Sequence, residues 1–320
     1  MKVFVTGAGG YFGSNLVLEL CKIPFITGIT CLVHNEQKLL TLTNSFPQKD
    51  KIHFLKGDIL DEQSYAYPLK EADVVIHTAA LRDIETCENH PEKAIKVNLL
   101  GTQKILEATL HGETTHFIYA STQAVYGSYS RTPLTEDTPP CPQNIYALTK
   151  YGGELLVQKI KERGRNFLIL RLSRLYGKGL FMREKELPYK FARLACQAKP
   201  LPIYGKGSDV IDLLHIKDAI SALIFFLRNL ERRKVWNQVY NVGGNNPIDI
   251  LSFARTYQRV CTQEGLQAPE INFIPTQKSK PIHLALSIEK IRKTGWQPLV
   301  SLEEGIRELI RQYRNELSEP

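Results

Sequence analysis

Short, nearly continuous apolar runs alternate through the first half of the chain with longer stretches whose apolar positions recur every three to four residues. The runs are Lys2–Thr6, Ile29–His34, Ile52–Lys56, Val74–His77, His116–Ala120 and Phe167–Leu172. Runs without polar alternation predict strands buried on both faces. Stretches such as Ala94 to Leu110 carry the 3.6-residue spacing of an amphipathic helix. Strand and helix in repeated succession predict an α/β fold, a doubly wound parallel sheet covered by helices. After residue 177 the texture changes. Pro188, Pro200 and Pro202 break the chain, Gly205 and Gly207 follow, and the run Val239–Val242 ends in Gly243-Gly244-Asn245-Asn246-Pro247. A last amphipathic helix is expected over Leu302–Tyr313. The expected division is a larger domain, 1–177, rejoined by segments near 212–245, and a smaller α/β domain, 178–320.

Composition narrows the partners. The 320 residues carry a net charge of +8, but the longest basic cluster is Arg232-Arg233-Lys234. So dispersed a surplus attracts small anions and does not outline a nucleic-acid surface. The six cysteines, Cys21, Cys31, Cys87, Cys141, Cys196 and Cys261, show no CxxC pair and no metal-ligand spacing. Reduced thiols, no metal and a cytoplasmic setting are expected. The apolar run Ala219 to Leu227 is too short to span a bilayer. With a first strand expected from residue 2, no signal peptide is expected.

Gly7, Gly10 and Gly13 lie between the first strand and a helix starting near Phe12. Such a loop lets a ligand approach the backbone, and the helix start offers free N–H groups to a pyrophosphate. The spacing is GxxGxxG, where many dinucleotide folds have GxGxxG. The second strand should report which dinucleotide. A carboxylate at its end would bind a ribose 2′-hydroxyl, and a cation would admit a 2′-phosphate. His34 and Asn35 stand there, with Lys38 nearby, while Glu36 reads as a solvent-facing helix start. NADP is therefore expected ahead of NAD, unless His34 and Lys38 form a plain surface loop. Asp58, after the third strand, either meets adenine or caps the next helix, with Ile59 an apolar wall.

Ser121-Thr122 follow the fifth run. Tyr146 and Lys150 come next, spaced i, i+4, so that one helix face presents both. A phenol ionises near pH 10, and a neighbouring ammonium lowers that value. A hydroxyl at 122 can donate to a reacting carbonyl oxygen. With a nicotinamide, these three side chains suit alcohol–ketone redox chemistry.

At this point the sequence resembles the extended short-chain dehydrogenase/reductase family, the NAD(P)-dependent sugar epimerases, dehydratases and ketoreductases. The likeness covers nearly the whole chain. It rests on VTGAGGYFGS, KGDIL, VIHTAA, VNLLGT, YASTQAVYG, YALTK, ILRLSRLYG, VYNVGG and GWQPLVSLEEGI, in that order. It implies a Rossmann-like nucleotide domain with a smaller C-terminal substrate domain, and Thr122, Tyr146 and Lys150 as catalytic triad. Lys150 would also hold the nicotinamide ribose. Gly7, Gly10 and Gly13 would lie on the pyrophosphate, with Tyr11 and Phe12 supplying N–H groups. Asp58 and Ile59 would flank adenine, and Ala79, Ala80 and Asn98 would line the cofactor cleft. Asn98 has the structural alternative of bridging two strands. Leu172 and Ser173 would pass the nicotinamide amide.

The departures concern substrate. Where the 4,6-dehydratases of the family carry Asp-Glu after the catalytic Thr, this chain has Gln123 and Ala124, which demotes dehydration. Arg174 replaces a usual Asn. Ile211 replaces a phosphate-binding arginine, for which Arg174 or Arg183 could substitute, and Lys278 and Lys280 lie near a further basic position. Arg82 and Cys87 would border the substrate pocket, or simply pack. A nucleotide-sugar epimerase or ketoreductase is the expected function, with a homodimer as family expectation, formed through helices such as Ala94–Leu110 and Asn144–Ile160. The alternatives are an NADPH-dependent reductase of a non-nucleotide ketone or alcohol, and a non-catalytic dinucleotide sensor. Retention of Thr122, Tyr146 and Lys150 argues against the sensor.

Overall fold

The computed structural model describes all residues except 47–48, 128–131, 277–281 and 319–320. Lys278 and Lys280 lie outside the described residues. In chain order the elements of the first half are β1 (Lys2–Thr6), α1 (Tyr11–Leu20), β2 (Gly28–Val33), α2 (Glu36–Ser45), β3 (Ile52–Lys56), α3 (Ala66–Lys70), β4 (Val74–His77), α4 (Ile84–Asn89), α5 (Pro91–Ile95), α6 (Gly101–Leu110), β5 (His116–Thr122), α7 (Ile145–Lys159) and β6 (Asn166–Leu172). They are followed by β7 (Arg174–Tyr176), α8 (Leu187–Cys196), β8 (Leu201–Tyr204), β9 (Val210–Ile211), β10 (Leu213–His215), α9 (Ile216–Leu227), β11 (Gln238–Val242), β12 (Ile248–Asp249), α10 (Ile250–Gln263), β13 (Ile271–Ile274), α11 (Glu289–Arg292) and α12 (Leu302–Ser318).

Seven strands form the main sheet in the order β11-β6-β5-β4-β1-β2-β3. The pairings from β3 across to β6 are parallel. This is the doubly wound order, whose direction reverses between β1 and β4 and places ligand loops at the carboxyl ends of those strands. Thr6 registers with His77, and His77 with Tyr119, so β1 and β4 finish side by side while β5 runs on to Thr122. Several of the sequence limits shift: β5 runs past Ala120 to Thr122, β6 begins at Asn166, and the last helix extends to Ser318. β2 ends at Val33, leaving His34 just beyond it, and the stretch Ala94 to Leu110 is not one helix, because a π-helical turn at Lys96–Leu100 separates α5 from α6.

Two compact units are present. One comprises Met1–Gly127, Glu136–Leu172 and Leu223–Tyr240; the other a short stretch ending at Thr135, Ser173–Ala222, and the chain from Asn241 onward. In the first unit Phe4, Val75, Ile105, Phe117, Tyr119 and Ile169 fill the space between sheet and helices. The second has its own core, in which Phe191 stacks on Phe253 and Tyr257 meets both edge-on, among Ile306, Leu309 and Ile310.

Candidate active site

The turn from β1 to α1 is a cradle built by close approach. Gly7 adopts φ +70°, the left-handed region that favours glycine, and a Cβ there would stand 2.6 Å from the backbone nitrogen of Ala79. A Cβ on Gly13 would run into the Gly7 carbonyl. The Gly10 N–H donates to the Gly7 carbonyl at 2.8 Å. Gly10 is the N-cap of α1 and supplies no side-chain cap, and the first turn holds no acidic residue. The helix start therefore keeps its N–H groups and positive dipole end available to an anion. Tyr11 and Phe12 bury their side chains, so they would serve a ligand through their backbone. These features fit the pyrophosphate of a dinucleotide, which Gly7, Gly10, Tyr11, Phe12 and Gly13 would hold.

Around this cradle the remaining residues fall into groups. Ala79 donates its N–H to Thr6 Oγ1 at 3.2 Å, and with half-buried Ala80 continues the loop after β4. Asn98 is buried and its amide is engaged. It accepts from Leu81 N at 2.7 Å and donates to Leu81 O and Thr149 Oγ1, both at 2.9 Å. It pins the loop carrying Ala79 and Ala80 to α7, a different bridge from the strand-to-strand one the sequence suggested. Ile59 belongs to the core, against Gly101. Leu172 and Ser173 are buried at the end of β6. The Ser173 N–H donates to Val242 O at 2.9 Å, while its hydroxyl lacks a hydrogen-bond partner among the described residues.

The end of β2 differs from the sequence expectation of a purely neutral-to-basic site. His34 is 80% exposed, and Asp58 brings a carboxylate within 3.4 Å of its Nδ1. β3 thus supplies the acidic group that β2 lacks. The other Asp58 oxygen accepts from Leu60 N at 2.9 Å, closing a turn. Asn35 caps α2, accepting from Lys38 N at 3.0 Å. Glu36 pairs outward with Lys56. The Lys38 stem lies along Gly9, and burial, aided by the charge of Arg82, pulls its ammonium below the usual lysine range. Arg82, assigned to substrate from sequence, is therefore electrostatically coupled to Lys38. Cys87 is buried, and its thiol donates to Leu81 O at 3.4 Å.

Thr122 is the last residue of β5. Its oxygen accepts from Ala124 N at 3.2 Å, which leaves the hydroxyl proton to donate. α7 begins at the Asn144 cap, which accepts from Ala147 N at 2.8 Å. Tyr146 sits in its first turn, and Lys150 follows one turn later on the same face. Lys150 is 2% exposed. Its Nζ lies 3.9 Å from the centre of the Tyr119 ring. Burial pulls the ammonium down to about 7, against the pull of Glu154 in the opposite direction. A lysine poised near neutrality suits a proton-handling site. Beneath it His77, pushed down to about 3 by burial, is a neutral hydrogen-bonding bridge between Thr6 and Thr102.

Next to Thr122, Gln123 is 8% exposed and its Oε1 has no hydrogen-bond partner among the described residues. Arg174, in the second unit, is exposed on β7. Arg183 pairs with Glu186 at 3.1 Å in the turn before α8. Ile211 packs against the second unit's core, so an apolar contact occupies the place where the resemblance implied an arginine. Sequence reasoning passed over Tyr119, Ser121, Glu154 and Arg171. A signal for two of them existed: Arg171 in LILRL and Glu154 in GGELLV are charges inside buried patterns, where ionised residues occur only when paired.

Among the described residues no group of three His, Cys, Asp or Glu side chains suits a metal ion, and no helix is long and apolar enough to cross a membrane.

The model of the NAD dependent epimerase/dehydratase family matches residues 3–243. A dTDP-glucose 4,6-dehydratase of Actinoplanes is 28% identical over 325 residues, covering 98% of both chains. A low-salt glycan biosynthesis protein of Haloferax volcanii is 29% identical, again over 98% of both. The crystal structure of UDP-glucuronic acid 4-epimerase from Bacillus cereus, in complex with UDP-glucuronic acid and NAD, superposes with a TM-score of 0.85 at 27% identity, covering 99% of this chain and 100% of that one.

Proposed function

The chain belongs to the NAD dependent epimerase/dehydratase family, and from that premise we propose that it epimerises a nucleotide-linked sugar through Thr122, Tyr146 and Lys150. One observation carries the choice within the family: a complete proton-handling set stands beside neighbours that cannot ionise. Loss of water from a sugar needs an acid and a base at the substrate. Gln123 and Ala124 offer an amide and a methyl, so the elimination branch lacks its groups. A dinucleotide held there would supply the acceptance and return of a hydride at an alcohol carbon. Tyr146 accepts the hydroxyl proton as the carbon becomes a ketone and gives it back after the ketone has turned over. Lys150, charged, stabilises the phenolate. The Thr122 hydroxyl donates a hydrogen bond to the ketone oxygen and keeps its proton.

NAD is the cofactor this reading takes. The relative from Bacillus cereus holds NAD, and Asp58 beside His34 favours a ribose hydroxyl over a phosphate. Dinucleotide binding is assigned to 1–177 joined by segments near 212–245, and substrate selection to the remainder of 178–320. A homodimer is part of the proposal, since Ile95, Leu100, Leu148 and Leu155 leave apolar surface exposed on and between α5, α6 and α7.

A second reading, an NADPH-dependent ketoreductase, is favoured by the cation Lys38 beside Gly9, with the charge of Arg82 acting on it. Ile211 would further admit a ketone without a nucleotide. The test is to denature freshly purified protein, identify any released dinucleotide by mass spectrometry, and then supply UDP- and dTDP-hexoses. Retained NAD with interconversion of C4 epimers is expected. An empty protein that binds NADPH more tightly than NADH and oxidises it with a ketone would replace the epimerase by the reductase.

A further inference from the structure

Behind Lys150 lies a buried ionic cluster that the proposed reaction does not use. Two residues of β5 on one sheet face meet two residues of α7 on one helix face. Tyr119 carries the Lys150 ammonium on its ring, and Ser121, two residues along, donates to Glu154 Oε1 at 2.5 Å. The match is geometric: two residues of strand and four of helix advance by nearly the same distance. Ser121 also registers directly with Arg171 on β6. Arg171 binds Glu154 in a fork, with Nη2 to Oε2 at 2.7 Å and Nε to Oε1 at 3.0 Å. Its Nη1 donates to Tyr126 Oη at 2.9 Å, on the turn after Thr122. The Glu154 side chain is 0% exposed and that of Arg171 is 5% exposed.

Thr122 is thus bracketed. Ser121 before it and Tyr126 after it are both tied to the same pair. We infer that Glu154 is a positioning residue, which with Arg171 and Ser121 locks the end of β5 to α7 and keeps the Lys150 ammonium charged for its work beside Tyr146. The inference rests on Tyr146 and Lys150 acting as the proton-handling pair.

The groups facing Lys150 are Tyr119 on β5, His77 on β4, and Tyr146 and Glu154 on its own helix; Arg171 on β6 and Tyr126 stand behind Glu154. Of these, Glu154 supplies the acidic charge that opposes the burial of Lys150, and His77 stays neutral. A buried ion pair of this kind adds little to stability compared with an apolar replacement, whereas removal of one partner strands the other. Its retention here has a local consequence: a negative charge one turn from the lysine.

The test is the titration of Lys150, followed by NMR of labelled lysine side chains and assigned with Lys150→Arg. Glu154→Gln is expected to lower the midpoint by about one unit or more. Glu154→Gln combined with Arg171→Met avoids a stranded guanidinium and is expected to move the midpoint in the same direction. An unchanged midpoint in either folded variant overturns the inference, because a merely structural pair would cost stability and leave the titration in place. The readout needs no substrate, so its failure is separate from failure of the epimerase reading, which the dinucleotide and hexose measurements report.

Discussion

Gly153→Ala sets two opposed effects against each other at the face of α7 that meets the catalytic strand. In an exposed helix interior the change gains about 1 kcal/mol of helix propensity. At Gly153 the new methyl would collide with the Tyr119 hydroxyl and stand 2.8 Å from Cζ of the same ring. The far end of a flexible side chain could yield, but Tyr119 is fully buried. Its hydroxyl reaches Lys150 O at 3.4 Å, and its ring supports the Lys150 ammonium. Overpacking such a site costs about 1–3 kcal/mol. The wedge should win, with a net loss of up to about 2 kcal/mol. The assay is urea unfolding in a Trp296→Phe background, where Trp236, set edge-on to His116 at 4.3 Å, reports on the first unit. The midpoint should fall at unchanged slope. Tyr119→Phe removes the colliding oxygen, so the loss caused by Gly153→Ala should be smaller in that background. A midpoint that rises on Gly153→Ala would refute the claim that α7 is pressed against Tyr119.

Three further outcomes follow from the same geometry. Gly7→Ala should weaken dinucleotide binding by more than about tenfold, measured by titration calorimetry, because the left-handed backbone and the Ala79 contact both oppose a Cβ. Tyr146→Phe should lower turnover by about 10²–10⁴-fold while the bound dinucleotide is unchanged by mass spectrometry. Glu308 is held down to about 2 by the His215 hydrogen bond and then by Lys217. Its pKa is lower folded than unfolded, so its contribution is present above the ordinary value of 4.5 and is lost as pH falls from there towards 2. Glu308→Gln should therefore cost the second unit about 1–2 kcal/mol at neutral pH and progressively less as the pH falls from 4.5 through about 2, read from Trp296 fluorescence.

The sheet was legible because its strands are apolar throughout, and the limits of β1, β3 and β4 follow directly from their runs. The π-helical turn at Lys96–Leu100 was not legible, because a one-residue bulge barely disturbs the apolar spacing on either side. Its reason is tertiary: Asn98 must reach both backbone groups of Leu81. The helical spacing of Tyr146 and Lys150, and the place of Thr122 at a strand end, could be read because each is local. The Asp58 carboxylate beside His34 could not, since it depends on the pairing of Val33 with Lys56 between two strands. Ser121, Glu154 and Arg171 were hidden likewise, each ordinary alone and meaningful only in register.

The loop between β1 and α1 is closed on itself by its own bonds. Gly10 N–H meets Gly7 O at 2.8 Å, Ser14 Oγ meets Gly10 O at 2.8 Å, and Asn15 Nδ2 meets Tyr11 O at 2.6 Å. A loop so preorganised spends little association free energy on ordering, and that saving appears as slow dissociation. Long residence suits an enzyme that must return a hydride to the molecule that gave it. For such an enzyme the dinucleotide is less a second substrate than a standing part of the protein, and the exchange rate of labelled NAD becomes a measure of how faithfully each oxidised sugar is reduced again.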